Sequence, residues 1–326
     1  MAISSGHALS PRLPPGKGVS VLASATNSPD FGPKRSNPDE RDAMTRLATG
    51  FGAALGATAL ALAAGSAQAA TFKADYAVTL AGFPIATADL VSSIEGTSYK
   101  TQIQARTTGL AGVFAGGKGG AVASGSLAGG QPVPASFALT SRTSSSQVAV
   151  RMGLAQGNVA QVEIVPPLEP KPDRVPLKEG HKRGVIDPVS AVLMPVQAKG
   201  GPTDPANCNR TIPVFDGAGR YDVVLSFAET RQADVPGYRG PVLVCKVRYV
   251  PHAGHRSERP GTKFMMRNED MSVWLAPVAG TRFLAPLRIA IRTMLGMSVA
   301  EATRFSVEDG PTTASAATPP RPTRRN

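Results

Sequence analysis

From Phe72 onward the chain alternates. Phe72, Ala74, Tyr76, Val78 and Leu80 are apolar, whereas Lys73, Asp75 and Thr79 between them are polar, the period of a half-buried β-strand. Further strands are predicted over Ile85–Ile94, Tyr99–Thr107, Ser136–Arg142, Ser144–Leu154 and Val159–Val165, with turns at Gly82-Phe83-Pro84, Glu95–Ser98 and Gly157-Asn158. Another group follows over Thr262–Asn268, Asp270–Ala276, Leu287–Leu295 and Ser298–Val307. One stretch has helical spacing. Asp187 suits an N-cap and Pro188 a first helical position, with Val189, Val192, Leu193 and Val196 on one face. Pro195 limits its length, so a short helix is expected near 187–197. Many strands and one short helix predict an all-β fold. The expected form is an antiparallel curled sheet, an open β-barrel or β-spiral, because a sheet this long must curl to hide its apolar side.

The chain's organising stretch is Cys208–Pro251. Tyr221, Val223, Leu225 and Phe227 alternate along one strand, and Leu243, Cys245, Val247 and Tyr249 share one face of the next. The only two cysteines bracket this meander, and a Cys208–Cys245 disulfide is expected; two buried free thiols are the alternative. Such a clip contributes roughly 3–4 kcal/mol through loop-closure entropy.

The ends have a different composition. Residues 1–43 are rich in Pro, Ser, Gly and charge, and are expected to be disordered or an over-extended start before Met44. Residues 44–69 have the form of a signal peptide: Arg46, an apolar run from Phe51 to Ala64, and Ala67-Gln68-Ala69 before the cleavage point. No lipobox cysteine follows, and no later stretch is long and apolar enough for a transmembrane helix. Residues 70–310 are expected to form the β domain, and 311–326 a disordered Pro/Thr/Arg tail. Export and one cysteine pair together predict an oxidising periplasm. The net charge of +12 favours anionic partners, and a chain cleaved after Ala69 still carries roughly +10. With 5% aromatic residues and no basic block, nucleic acid is not an expected partner.

Candidate chemistry is sparse. The Gly-rich stretch 108–130 nearly spells a phosphate loop around Gly112–Gly119, yet Gly119 stands where Ser or Thr should follow Lys118. A strand pair with glycines permitting curvature is the simpler reading. His252-x-x-His255 with Glu258 nearby offers too few ligands for zinc, with His181 the only other histidine after the leader, so no metal or cofactor is expected. Ser190, His181 and Asp187 fall within ten residues, but a helix would turn their side chains apart. The inward strand faces carry Phe72, Tyr76, Val78, Tyr221, Leu225, Phe227, Val247, Ile289 and Ile291, a lining for an acyl-chain groove or simply the core. Arg183, Arg220, Arg248, Arg288 and Arg292 are candidates for a basic rim around such a groove.

Four phrases occur together: HKRGVIDPVSAVL at 181–193, CNRTIPVFDGAGRYDVVLSF at 208–227, GPVLVCKVRYVPHAGH at 240–255 and VWLAPVAGTRFLAPLRI at 273–289, before EATRF at 301–305. They resemble the exported bacterial family catalogued as domain of unknown function 3108, over most of residues 71–309. The resemblance carries no catalytic residues. It implies a fold similar to the envelope-integrity β-spiral proteins and, more distantly, to the half-barrel carriers of outer-membrane lipoproteins. The expectation is a periplasmic, non-enzymatic envelope protein binding a lipid, a lipoprotein or an envelope protein. A scaffold with a solid core and an unrecognised envelope hydrolase are the alternatives.

Overall fold

In a computed structural model, residues 69–109 and 116–309 are described. The leader, both tails and part of the Gly-rich frame lie outside them. The chain begins as a meander: β1 (Ala69–Leu80), β2 (Phe83–Glu95), β3 (Ser98–Thr107), β4 (Gly117–Ala128), β5 (Gln131–Thr143), β6 (Gln147–Ala155) and β7 (Asn158–Val165). A long irregular strap follows, ending in the two-residue strand β8 (Met194–Pro195). A second meander comprises β9 (Arg210–Phe215), β10 (Arg220–Val235), β11 (Tyr238–Ala253), helix α1 (Pro260–Arg267), β12 (Met271–Pro277), β13 (Phe283–Thr293) and β14 (Gly296–Asp309).

One 14-stranded sheet holds both meanders, in the order β7-β6-β5-β4-β3-β2-β1-β14-β13-β12-β11-β10-β9, with β8 added beside β13. The first strand pairs with the last, Phe72 opposite Val307 and Tyr76 opposite Ala302. The sheet is therefore two arms zipped together by sequence-distant strands. The pairings along that order are antiparallel, and bulges interrupt them at Asp75/Tyr76, Ser124/Gly125, Phe227/Glu229 and Trp274/Leu275. A bulge bends its strand and raises the local twist. Repeated along both arms, it curls the sheet.

The edges β7 and β9 form no ladder with each other. The strap fills the gap: Ile186 forms a parallel bridge with Val214 of β9, and the Val185 amide donates to the Gly157 carbonyl at the β6–β7 turn. Side chains complete the closure. Phe215 at the end of β9 packs with Phe137, Val150, Met152 and Leu154 of β5 and β6. Gly217, at φ +97°, lies so close to Val150 that a Cβ would overlap its methyl group. Across the interior, the tip of the long β10–β11 hairpin presses on β14. The Phe305 amide donates to the Pro236 carbonyl, and a Cβ on Gly237 (φ +88°) would overlap the Phe305 carbonyl.

Two local expectations are corrected. The segment 187–197 forms one 3₁₀ turn, Ser190–Val192, not a helix. Asp187 does cap it: Oδ1 accepts from the amides of Val189 and Ser190. Pro195 then has no amide to continue a helix, and Met194–Pro195 is drawn into extended pairing with Leu284 and Phe283. Conversely, Thr262–Asn268, expected as a strand, lies largely within α1. Pro260 is tolerated in its first turn, and Lys263, Met265, Met266 and Arg267 are all good helix formers. Its two partly buried apolar residues, Phe264 and Met265, are adjacent and so do not keep a strand's alternation.

Candidate binding pocket at the barrel seam

The disulfide joins Cys208, in a 3₁₀ turn at Pro205–Cys208, to Cys245 in mid-β11, with Cα atoms 5.5 Å apart. Both residues are fully buried, among Met194, Val196, Leu225, Leu243, Leu275 and Leu284. The residues expected to form a groove lining or the core are distributed over several packed regions. Tyr76 is buried in a core with Phe72, Leu193, Val242 and Phe305, and its hydroxyl donates to the Pro286 carbonyl. Leu225 sits in the disulfide core, with Phe227 and Val247 packed against it. The Tyr221 and Tyr249 rings pack at a tilt with centroids 5.1 Å apart, and Val78, Ile289 and Ile291 are half-buried. Tyr238 and Val235, from the β10–β11 tip, pack into the Phe72 core, so the concave side is filled by the chain itself. Four of the five rim arginines have carboxylate partners: Arg220 with Asp222, Arg248 with Glu269, Arg288 with Glu301 and Arg292 with Asp270. Arg183 is exposed beside the strap.

Ser190 also has a structural setting. Its hydroxyl meets the Tyr99 hydroxyl at 2.6 Å, both residues buried, fastening the strap to β3. His181 is engaged elsewhere: Nδ1 accepts from the Lys178 amide. Burial pushes the Asp187 carboxyl above its ordinary range, against the opposing pull of its hydrogen bonds to Ser190 and Val189, and its Oδ2 has no partner. His252 Nε2 lies 2.8 Å from Asp222 Oδ2, and among the described residues no three His, Cys, Asp or Glu side chains converge as metal ligands.

A pocket of about 280 Å³ does open at the seam where the sheet fails to close. The β9 edge forms one wall, the strap a second, and Gln131 and Pro132 at the start of β5 a third. Val185, Ile186, Leu193, Met194 and Ile212 make it apolar. Arg210, at the start of β9, is the charged group in its lining. Its Nε donates to the Asn207 carbonyl at 2.8 Å and Nη1 to the Pro195 carbonyl at 3.0 Å. Nη2 is buried without a hydrogen-bond partner, and desolvation lowers the pKa of the guanidinium, which stays charged at neutral pH. A buried donor with no acceptor is costly. The sequence carries a signal for it in retrospect: a lone arginine opening the apolar edge strand RTIPVF.

A second depression, about 780 Å³ and open to solvent, crosses the outside of β3, β4 and β5. Lys100, Arg106, Lys118 and Arg142 line it together with Gln102, Gln104 and the carboxylate of Asp89. Lys118, the lysine of the phosphate-loop-like frame, sits within strand β4 rather than before a helix.

None of the curated proteins matches this chain. A solved structure from Brucella abortus, described as a β-barrel-like protein of domain of unknown function DUF1849, is similar at 11% identity with a TM-score of 0.43. The match covers 73% of this chain and 98% of that one. The family profile described as protein of unknown function, DUF3108, matches residues 75–303, well over half of the chain, and the chain belongs to that family.

Proposed function

We propose that this is an exported, non-enzymatic envelope protein that binds a lipid or the acyl segment of a lipoprotein at its seam. The observation that carries the reading is Arg210, the charged residue lining a pocket with Val185, Leu193 and Met194 beside an unclosed sheet edge, with one guanidinium nitrogen lacking a hydrogen-bond partner. An anionic amphiphile matches both parts: its chain replaces water against Val185, Leu193 and Met194, and its carboxylate or phosphate accepts from the guanidinium. The pocket's size, near the lower end of small-ligand sites of roughly 300–1,000 Å³, suits one acyl segment. A buried disulfide and a leader-like segment at 44–69 support export to an oxidising compartment.

Native mass spectrometry and displacement of a fluorescent fatty acid test the binding. The protein should take up one acyl ligand. Ala191→Phe, which fills the pocket without touching charge, should abolish uptake, and Arg210→Gln should weaken it at least tenfold. Unchanged uptake in both variants would sink the reading. The filled interior favours a second reading, a scaffold that works through its exterior; in-cell crosslinking to a protein partner, with no acyl ligand bound, would select it.

A further inference from the structure

We propose that the end of the sheet bearing the β1–β2 and β13–β14 turns docks on an anionic lipid surface. The three most exposed large apolar residues of the described chain are Leu295 (78%), Phe83 (72%) and Met294 (61%). They occupy just two turns, and these turns touch. The Ala81 amide donates to the Met297 carbonyl at 2.8 Å, and Gly296 lies against the Ala81 side chain. Met266, also exposed, flanks them on α1, whose C-cap residue Asn268 donates through Nδ2 to the Arg292 carbonyl at 2.8 Å.

Consecutive antiparallel strands reverse direction, so the end of β3, the start of β4 and the β5–β6 turn lie at this same end. There the pairing puts Arg106 opposite Lys118, and Lys118 opposite Arg142. Like charges placed directly across strands repel. Among the described residues none of the three has an ion-pair partner; Arg142 donates only to the neutral Gln147 amide oxygen, at 2.7 Å from Nη2. The cations border the outer depression, where Gln102, Gln104 and Thr140 add neutral hydrogen-bonding groups suited to phosphate oxygens, and where four cations, with Lys100, outnumber the one carboxylate, Asp89.

The other end of the sheet lacks this combination. The hairpin turns of the first meander there, Gly96-Thr97, Gly129-Gly130 and Gln156-Gly157, carry no large apolar side chain, the β10–β11 tip is folded against Phe305, and Val278 of the β12–β13 loop is buried. Apolar tips beside unneutralised cations match the two components of an interfacial site: shallow insertion below the headgroups, and attraction to their negative charge. The net charge of +12 acts in the same direction. Isolated side chains on turn tips suit a deformable interface better than a flat protein partner, which must supply a broad complementary patch.

The substitution Phe83→Trp places a reporter at the tip of the full chain, read as the difference from the parent protein, which already carries Trp274. Brominated phosphatidylglycerol vesicles should blue-shift and quench its emission, whereas phosphatidylcholine vesicles should not. The quenching should fall as salt rises. Adding Leu295→Ser should reduce it at least threefold. Adding Arg106→Gln, Lys118→Gln and Arg142→Gln together should remove the preference for anionic lipid. Arg210→Gln should leave the signal unchanged, which separates this site from the seam pocket. An unshifted, unquenched reporter with anionic vesicles overturns the proposal, as does a tip-dependent dimer in sedimentation that accounts for the burial. These residues lie on exposed turns and outer faces, so circular dichroism should show the fold of each variant intact.

Discussion

The two arms of the sheet solve the burial problem differently. In β3, residues 98–103 alternate between exposed and buried, with Tyr99 and Thr101 inward and Lys100 and Gln102 outward. The C-terminal arm buries whole runs: Val242, Leu243, Val244 and Cys245 in β11, and Phe283 to Leu287 in β13. Adjacent residues there join different cores. Val242, Ala276 and Ala285 pack with Phe72 and Phe305, while Leu243, Leu275 and Leu284 pack around the disulfide. Since neighbours along a strand point to opposite sides, this part of the sheet is covered on both faces. The N-terminal arm hides one face and leaves the other free to carry charge. The two arms thus divide between one-sided and two-sided burial.

The largest way to break that division is to remove the clip. Replacing both Cys208 and Cys245 with Ala should cost roughly 3–4 kcal/mol from the longer reach of the unfolded chain alone, measured by urea denaturation under non-reducing conditions. The loss should concentrate in hydrogen exchange of β10–β12. Leu243→Ala comes next, at about 2–5 kcal/mol. Gln102→Ala on the outer face of β3 should stay within about 0.5 kcal/mol. Equal costs for these two would refute the contrast between the arms. Asp187→Ala, which uncaps the strap between them, should cost about 1–2 kcal/mol.

The smallest expected effect is a pH slope. Burial raises the Asp187 carboxyl in the folded protein above its unfolded value of about 3.9. The folded state therefore holds the proton more tightly. This contribution favours folding fully below the unfolded pKa and is lost as pH rises through the folded one. Asp187→Asn keeps the capping oxygen and should flatten that part of the stability–pH curve; a slope unchanged from the parent would show that another group sets it.

The alternation that marks β1, β3 and β6 was legible because one-faced strands encode their burial locally. So was the cysteine pair, and so was Asp187 as a cap, since both depend on few residues. The helix was misplaced because Asp187-Pro188 announces a start and the stop lies in tertiary pairing: Pro195 and Met194 are recruited by β13. Thr262–Asn268 misled for the opposite reason, its helix being set by Pro260 and a run of unbranched side chains. Arg210 escaped because its meaning depends on Pro195 and Asn207 folding back over β9, contacts that no local pattern specifies. The inward residues left groove and core open because what fills the concavity, the hairpin tip at Val235–Tyr238, comes from far along the chain.

The pairing of β1 with β14 makes a strand from the far end of the described chain the keystone of the assembly. Each meander can zip from its own hairpins, but neither can bury its inner border until residues 296–309 arrive. Losing those residues would turn two central strands into naked borders, templates for another copy of the chain. A nonsense change before Gly296 should therefore yield fibrils or inclusion bodies, not a slightly shortened monomer.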